Sequence, residues 1–396
     1  MKAVVWHGKR DVRVDEVPDP KIEEPTDALV RLTTTNICGS DLHLYEVMGP
    51  FMNEGDIVGH EPMGIVEEVG SEVTDVQKGD RVVMPFQISC GHCFMCDQQL
   101  FTQCETTQVR NEGMGAALFG YSNLYGAVPG GQAEFLRVPQ AQNTTIKVPD
   151  GPPDERYVYL SDVLPTAWQA VEYAGIPEGG TVVVLGLGPI GDMASRIAMH
   201  KGARVIGVDL VPERLQRVEQ RGGEVFDLSE HNGDLPEVIR EMTDGRGPDS
   251  VIDAVGMEAH GSPVGKAAHQ LVGLLPDVVA NPLMRHAGVD RLNALYSAID
   301  MVRRGGTISL SGVYGGSADP LPLFQLFDKQ VQLRMGQANV RRWVDDILPL
   351  VTGDNDVLGA ETFATHRLPL SQAPHAYEIF QKKLDGAVKI LLEPQS

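Results

Sequence analysis

The stretch T-V-V-V-L-G-L-G-P-I-G, residues 181–191, determines how the rest of the sequence is interpreted. A run of β-branched residues and a leucine leads into a G-x-G-x-x-G pattern, and the residues after it have apolar side chains at helical spacing. Gly186 permits a sharp turn, Gly188 lets backbone N–H groups approach a pyrophosphate, and Gly191 permits close packing of the helix on the strand. The pattern predicts a strand, a tight turn and a helix whose N-terminus faces a phosphate.

An acidic residue after the second predicted strand favours NAD as the ligand of this turn. Residues 204–208 form that strand, and Asp209 follows where a carboxylate accepts hydrogen bonds from both ribose hydroxyls of an adenosine. Asp209 would repel the 2′-phosphate of NADP. A βαβ turn without a ligand is the alternative. The predicted NAD contacts in this half are Gly186, Gly188, Pro189, Ile190, Gly191 and Asp209.

Length and composition indicate two domains and exclude some partners. The chain has 396 residues, more than one ordinary core holds. Its net charge of -21 would repel a phosphate backbone, and no stretch approaches the ~20 apolar residues of a membrane span. Without an apparent secretory signal, the five cysteines indicate thiolate chemistry rather than disulfides. We therefore expect a cytoplasmic protein that binds neither nucleic acid nor membranes.

Four of the five cysteines lie close together in the spacing C-x2-C-x2-C-x7-C. They are Cys90, Cys93, Cys96 and Cys104. Four thiolates suit a closed tetrahedral Zn²⁺ site, which stabilises a loop and performs no chemistry. An iron–sulfur cluster is the alternative, although the spacing matches neither ferredoxin pattern.

The remaining pattern divides the chain into two parts. Short strands with turn residues between them indicate an all-β, barrel-like region before residue 139. From residue 181 strands and helices alternate, which predicts a doubly wound parallel sheet. We predict one domain over 1–163, completed by 338–396, and a second over 164–337. The long connection at about 256–305 has two interpretations, a lid and a surface insertion.

Two further segments carry residues that bind metals or move protons. They are C-G-S-D-L-H at 38–43 and G-H-E-P at 59–62. Each side chain alone has a structural explanation, such as a buried thiol, a helix cap or a surface charge.

Together, these segments, the cysteine cluster and the glycine turn resemble the zinc-dependent medium-chain alcohol dehydrogenases over nearly the whole chain. The resemblance implies an α/β protein with a GroES-like β-barrel catalytic domain, a Rossmann domain, and the active site in the cleft between them. It implies an NAD-dependent zinc alcohol or aldehyde dehydrogenase with one catalytic and one structural Zn²⁺ per chain. It also implies a homodimer or homotetramer that pairs near 331–336.

Residue roles follow from the resemblance position by position. Cys38, His60 and Asp162 are the implied ligands of the catalytic zinc, and Asp41 is implied to orient His60. The other implied positions are Ser40 and His43 for proton transfer, Glu61 beside the metal, Thr166 at the nicotinamide, Arg214 at the adenosine ribose, Lys389 at the pyrophosphate, and Phe86 and Trp168 in the substrate pocket.

Within the family, three segments are most similar to the glutathione-independent formaldehyde dehydrogenase and aldehyde dismutase branch. They are residues 119–134, residues 161–166 and the connection at 256–305, which in that branch holds NAD tightly. The apolar residues 48–52 depart from the branch, so a larger alcohol or aldehyde fits at least as well as formaldehyde. Three functions are open: hydride transfer between an alcohol or aldehyde hydrate and NAD, aldehyde dismutation with internally recycled NAD, and non-catalytic NAD binding.

Overall fold

The structure is a computed structural model that describes residues 1–230, 234–256, 292–314, 321–353 and 356–396. The chain forms two compact units. The first consists of Met1–Pro165 and Ala338–Ser396, and the second of Thr166–Gln337. The first division therefore falls two residues after the position expected from the sequence, inside a helix. The roles of the units as catalytic and cofactor domains stay predictions.

The described residues form strands and helices with the following bounds. In chain order, the strands are β1 (Lys2–Gly8), β2 (Asp11–Glu16), β3 (Ala28–Ile37), β4 (Pro62–Val69), β5 (Arg81–Val83), β6 (Phe135–Val138), β7 (Ile146–Lys147), β8 (Thr181–Leu185), β9 (Arg204–Asp209), β10 (Glu224–Asp227), β11 (Ser250–Asp253), β12 (Thr307–Leu310), β13 (Gln332–Met335), β14 (His366–Pro369) and β15 (Ile390–Glu393). The helices are α1 (Gly39–Glu46), α2 (Phe94–Asp97), α3 (Ala141–Thr144), α4 (Asp154–Tyr157), α5 (Val163–Ala174), α6 (Pro189–His200), α7 (Pro212–Glu219), α8 (Leu235–Glu241), α9 (Asn293–Met301), α10 (Leu323–Lys329), α11 (Val340–Thr352) and α12 (Ala373–Lys382).

The first unit is organised around β3, its longest strand. The seven-stranded sheet has the order β14-β15-β3-β4-β5-β7, with β6 also paired to β3, and β1 and β2 form a separate antiparallel ribbon. The pairing of β3 with β4 is antiparallel and places Thr35 opposite Pro62. Because Cys38 follows the end of β3 and His60 precedes the start of β4, this register brings both residues to the same end of the strand pair.

The second unit is a six-stranded parallel sheet of order β10-β9-β8-β11-β12-β13. The central strand β8 pairs with β9 on one side and β11 on the other, and Val182 to Val184 are fully buried there. A parallel strand covered on both faces is expected to be continuously apolar, as T-V-V-V-L is. The strand order reverses between β8 and β11, which confirms the predicted doubly wound sheet and marks the edge where ligands bind in such folds.

Helix α6 begins at Pro189, three residues earlier than the apolar rhythm alone indicates. Proline at the first helical position has a suitable φ angle and loses no intrahelical hydrogen bond. The helix buries Met193, Ala194, Ile197 and Ala198, so its apolar face holds it on the sheet.

Most of the long connection predicted at 256–305 lies outside the described residues, which omit 257–291. Its end is described as α9, which buries Leu295, Ala298 and Ile299 in the core of the second unit. Among the described helices none is both long and apolar enough to cross a bilayer.

Candidate functional site

The first candidate site lies in the first unit, where three separate segments bring four ligand-bearing side chains together. Cys38 is the N-cap residue of α1, His60 and Glu61 precede β4, and Asp162 ends the short 3-10 turn Val158–Ser161. One ligand atom from each of these four residues lies within 4.8 Å of the other three, and all four residues are buried. The oxygen Asp162 Oδ2 is 3.2 Å from Cys38 Sγ and 3.5 Å from His60 Nε2.

This donor set fits a zinc ion. Thiolate, imidazole and carboxylate are the ligands that Zn²⁺ takes in proteins, and three of them leave a position for a substrate oxygen. Burial, together with the charges of Asp162 and Glu61, raises the pKa of the Cys38 thiol to about 12. A divalent cation among these groups would compensate the buried Asp162 carboxylate and favour the Cys38 thiolate.

Asp41 orients His60 from behind. Its Oδ1 lies 3.0 Å from His60 Nδ1, and its Oδ2 accepts a hydrogen bond from the Cys38 N–H at 3.0 Å. Burial lowers the pKa of His60, but the charge of Asp41 and neighbouring hydrogen bonds outweigh it and raise the pKa well above its usual value. Because Nδ1 faces Asp41, Nε2 is the ring nitrogen that faces the cluster, as a metal ligand requires.

Glu61 is held by a fully buried lysine. Its Oε1 accepts a hydrogen bond from Lys389 Nζ at 2.6 Å, and its Oε2 accepts one from Asn36 Nδ2 at 2.8 Å. The prediction that Lys389 meets the pyrophosphate is therefore wrong, because its side chain is 0% exposed and bound to Glu61. Burial lowers the pKa of Lys389, but the Glu61 carboxylate raises it further, so the lysine stays charged.

Both residues predicted to carry a proton lie on α1, the helix whose N-cap residue is Cys38. Ser40 Oγ is 3.1 Å from His60 Nε2, so its hydroxyl reaches the nitrogen that would face the metal. His43 is half-buried and follows one turn later on the same helix.

The second cluster of the first unit is formed by the four closely spaced cysteines. The sulfur atoms of Cys90, Cys93, Cys96 and Cys104 all lie within 4.8 Å of one another. Burial raises the pKa of the Cys93 thiol, but hydrogen bonds from backbone N–H groups outweigh it and lower that pKa to about 6. The Glu105 N–H is 3.3 Å from Cys93 Sγ, and the Cys90 N–H is 3.3 Å from Cys104 Sγ. Four sulfur ligands with backbone donors fit a structural zinc.

The glycine turn of the second unit has the shape of a phosphate cradle. Gly186 has a φ of +80°, and a Cβ on Gly191 would lie 1.8 Å from the carbonyl oxygen of Gly186. At Gly188, by contrast, a Cβ would meet nothing nearer than Arg214 Nη1 at 3.8 Å, so the backbone there is open to a ligand. Helix α6 starts directly after this open position and provides free N–H groups.

Asp209 and Arg214 lie together beside this turn. Asp209 ends β9, and its Oδ2 accepts a hydrogen bond from the Leu187 N–H at 2.6 Å. Arg214, on α7, has Nη1 at 3.7 Å from the same oxygen. The predicted adenosine contacts are thus adjacent at the carboxyl end of the sheet, and the turn and acid together fit a dinucleotide.

Comparison with known proteins places this chain in a family. Residues 24–150 match the family model described as the alcohol dehydrogenase GroES-like domain, and residues 189–271 match the zinc-binding dehydrogenase model. The chain is 43% identical to an uncharacterized zinc-type alcohol dehydrogenase-like protein of Bacillus subtilis, over 100% of both chains. The chain belongs to the zinc-type alcohol dehydrogenase family.

Two further relatives of this zinc-type alcohol dehydrogenase extend the comparison. Formaldehyde dismutase of Pseudomonas putida is 32% identical over 99% of this chain and 97% of the relative. The structure of alcohol dehydrogenase TADH from Thermus sp. ATN1 superposes with a TM-score of 0.79, at 34% identity and 99% coverage of each chain. The family assignment confirms the predicted fold class, with a GroES-like domain and a Rossmann-like sheet, and the protein is an oxidoreductase.

Two aromatic rings lie close to the ring of the candidate zinc ligand His60. The Phe86 ring lies 6.3 Å from the His60 ring and the Tyr121 ring lies 6.4 Å from it, both edge-on at 81°. Tyr121 OH is 3.7 Å from Met48 Sδ. Phe86 therefore lies beside His60, and its role as a wall of the substrate pocket stays a prediction. Tyr121 is a second neighbour of His60 to which the sequence assigned no role, because it lies in a glycine-rich loop without a recognisable spacing.

Trp168 packs at the C-terminal end of α6, away from the predicted substrate pocket. Lys201 Nζ is 4.1 Å from the centre of the Trp168 ring, and Lys201 directly follows the C-terminal end of α6. Helix α6 has 12 residues and is therefore about 18 Å long. The ring thus packs at the end of α6 opposite to the glycine turn, beside the amino ends of the strands, so we remove Trp168 from the pocket residues. Thr166 is half-buried on α5, and its contact with nicotinamide stays a prediction.

Proposed function

We propose that this zinc-type alcohol dehydrogenase transfers a hydride between an alcohol, or an aldehyde hydrate, and NAD. The observation that supports this best is the buried Cys38, His60 and Asp162 cluster, whose sulfur, nitrogen and oxygen atoms converge within 4.8 Å. Closed structural zinc sites use four protein ligands, whereas three ligands leave a position for a substrate.

In this proposal each side chain of the site has a chemical task. Zinc, when bound, supplies a Lewis acid that polarises the substrate oxygen. The Ser40 hydroxyl would accept the substrate proton while it releases its own proton to the cofactor ribose. His43, one turn along α1, would then pass a proton from the ribose towards solvent. Asp41 holds His60 with Nε2 towards the metal, and Lys389 holds the Glu61 side chain in place by a hydrogen bond to Oε1.

We propose NAD rather than NADP as the cofactor. The backbone is open at Gly188, the helix N-terminus formed by Pro189 and Ile190 follows it, and the Asp209 carboxylate lies beside the turn. A 2′-phosphate would meet this carboxylate at close range and be repelled. Arg214 and Thr166 are the proposed contacts to the ribose and the nicotinamide.

We propose that the second zinc is structural and is bound by Cys90, Cys93, Cys96 and Cys104. These cysteines offer no open ligand position for a substrate. The cysteine ligands of both zinc sites would stay reduced in a reducing compartment, which supports a cytoplasmic location.

Alcohol oxidation provides the direct test. Purified protein is mixed with NAD and a series of alcohols of increasing apolar size, and NADH is measured by absorbance. We expect activity that a zinc chelator removes and added zinc restores, and a strong loss in Ser40→Ala. The exposed Ser71→Ala is the matched control, and we expect it to keep full activity. Chelator-resistant activity would contradict the proposed zinc mechanism.

Aldehyde dismutation with a resident NAD is the second candidate. The 32% identity to formaldehyde dismutase over nearly the whole chain favours it. The test is the NAD content of protein purified without added cofactor, with turnover of aldehyde in the absence of free NAD. Close to one NAD per chain with such turnover supports dismutation, and the absence of NAD supports an ordinary dehydrogenase.

We propose a homo-oligomer that pairs through the edge of the parallel sheet. Among the described strands, β13 has one neighbour, β12, so its other side is open for pairing. The adjacent helix α10 exposes 84% of Phe324 and 83% of Phe327, which favours burial against a second copy. Light scattering of Phe324→Asp should show smaller particles than wild type. The matched control is Phe94→Asp, at a 65% exposed phenylalanine of residues 90–104, the segment with the four closely spaced cysteines that we call the cysteine lobe. This variant should leave the size unchanged.

A further inference from the structure

A buried chain of hydrogen bonds runs from the C-terminal helix α12 to Asp41, which lies at ion-pair distance from the candidate zinc ligand His60. Tyr377 OH donates to Gln132 Oε1 at 2.9 Å, across 245 residues of sequence. Gln132 Nε2 donates to Asp41 Oδ2 at 3.2 Å, and Asp41 Oδ1 lies 3.0 Å from His60 Nδ1. All four residues are buried in the first unit.

The groups around Gln132 allow its amide one orientation. The NH₂ group faces two acceptors, the Asn36 carbonyl oxygen at 3.0 Å and Asp41 Oδ2. A flipped amide would place its oxygen against both acceptors and would be repelled by them. Gln132 Oε1 therefore faces Tyr377, whose hydroxyl must donate to it. Burial and the nearby charge of Asp41 raise the pKa of Tyr377 well above its usual value, so the donor proton stays in place.

The backbone beside His60 is fitted to the same glutamine. Gly59 has a φ of +95°, and a Cβ there would lie 2.3 Å from Gln132 Cγ. Gln132 thus contacts the residue before His60 as well as the carboxylate behind it. The contact with Gly59 fixes the backbone next to His60, and the contact with Asp41 fixes the carboxylate that faces the His60 ring.

We infer that Gln132 and Tyr377 are positioning residues for the catalytic zinc ligand His60. They act through Asp41: the amide of Gln132 fixes one carboxylate oxygen, which leaves the other aimed at His60 Nδ1 and so directs Nε2 to the metal. The inference rests on the proposed zinc site and adds to it two residues that contact no metal and no substrate.

Zinc release provides the test, because the site formed by the four closely spaced cysteines serves as an internal reference in the same chain. Tyr377→Phe keeps the ring and removes the hydroxyl, and Gln132→Met keeps the side-chain length and removes the amide. Tyr45→Phe is the matched control, since its ring lies 5.3 Å from that of Tyr377 in the same core cluster. Release of each zinc to a coloured chelator is followed over time, and Cys93→Ser identifies which phase belongs to the cysteine lobe.

We expect Tyr377→Phe and Gln132→Met to release the zinc at Cys38 and His60 about tenfold faster, because loss of partners behind a ligand lowers metal affinity by 10–100-fold. In these two variants the zinc at the four lobe cysteines should be released at the wild-type rate. In Tyr45→Phe both zinc ions should be released at the wild-type rate. Unchanged release in both test variants would overturn the inference, as would equal acceleration of both zinc ions, which indicates general loosening.

A second readout separates this inference from the proposed function. In zinc-free protein with isotope-labelled histidine, NMR should detect a His60 Nδ1 proton that exchanges slowly with solvent in wild type and Tyr45→Phe. Exchange should be faster in Tyr377→Phe and Gln132→Met. If wild type takes up no zinc at Cys38, the proposed function fails, and this NMR comparison still decides whether the chain positions His60.

Discussion

The two cysteine-containing clusters of the first unit differ in how the chain assembles them. The lobe takes four sulfur atoms from one segment, with its outermost cysteines 14 residues apart, and backbone N–H groups hydrogen-bond to the sulfurs. The Cys38 cluster joins a thiol to a carboxylate 124 residues away and is surrounded by side-chain hydrogen bonds. A local segment is enough to close a structural site, whereas a reactive site needs ligands held from several directions.

The largest effect expected from this contrast is on catalysis. Cys38→Ser removes a zinc ligand and should lower kcat/KM for alcohol oxidation by about a thousandfold, because the metal contributes several kcal/mol to the transition state. Cys93→Ser should keep most of its activity per folded molecule. Steady-state kinetics of both variants measures the difference, and equal losses would show that the two clusters do not have separate roles.

The second prediction concerns the buried charges that distinguish the Cys38 cluster. Lys389→Met leaves Glu61 buried without its cation and should lower the free energy of unfolding by about 3–5 kcal/mol. The double variant Glu61→Gln/Lys389→Met should recover most of this loss, because neither buried charge remains. Denaturant unfolding measures both. Lys78→Met, at a 75% exposed lysine that pairs with Glu67, should change stability by less than about 1 kcal/mol.

The lobe should matter for stability. Cys93→Ser weakens a zinc site that holds the segment from Cys90 to Cys104 together, and we expect a loss of about 2–4 kcal/mol in the free energy of unfolding. Thermal unfolding with and without added zinc measures this loss. A transition temperature equal to that of wild type would mean that the lobe folds without its metal.

The smallest predicted effect is a difference in thiol reactivity between the clusters of zinc-free protein. At pH 7 Cys93, with a pKa of about 6, is mostly thiolate, whereas Cys38, with a pKa of about 12, is protonated and buried. Iodoacetamide should therefore alkylate Cys93 first. Lowering the pH from 7 to 5 protonates Cys93 and should slow its alkylation about tenfold. Mass spectrometry locates the label, and faster labelling of Cys38 would contradict the assigned environments.

What could be predicted from the sequence follows the same division between local and distant contacts. The spacing of the four lobe cysteines and the strand–glycine–helix pattern at 181–191 are local, and the structure confirms the parallel sheet around β8. The grouping of Cys38, His60 and Asp162 was implied by resemblance alone, because no spacing links segments so far apart. The role of Lys389 was predicted wrongly, since its partner Glu61 is 328 residues away.

The positioning residues behind His60 were beyond the sequence for the same reason. Gln132 lies in a glycine-rich stretch and Tyr377 on an amphipathic helix, where each has an ordinary structural explanation. Their connection appears only when α1, the segment before β6 and α12 are placed in one unit.

The most direct test of this account is the zinc content of the purified protein, measured by elemental analysis of wild type, Cys38→Ser and Cys93→Ser. We predict two zinc ions per chain in wild type and one in each variant, with the Cys38→Ser protein folded and inactive. A wild-type protein that holds a single zinc, or a Cys38→Ser protein that holds as much zinc as wild type, would contradict the assignment of a separate catalytic zinc site.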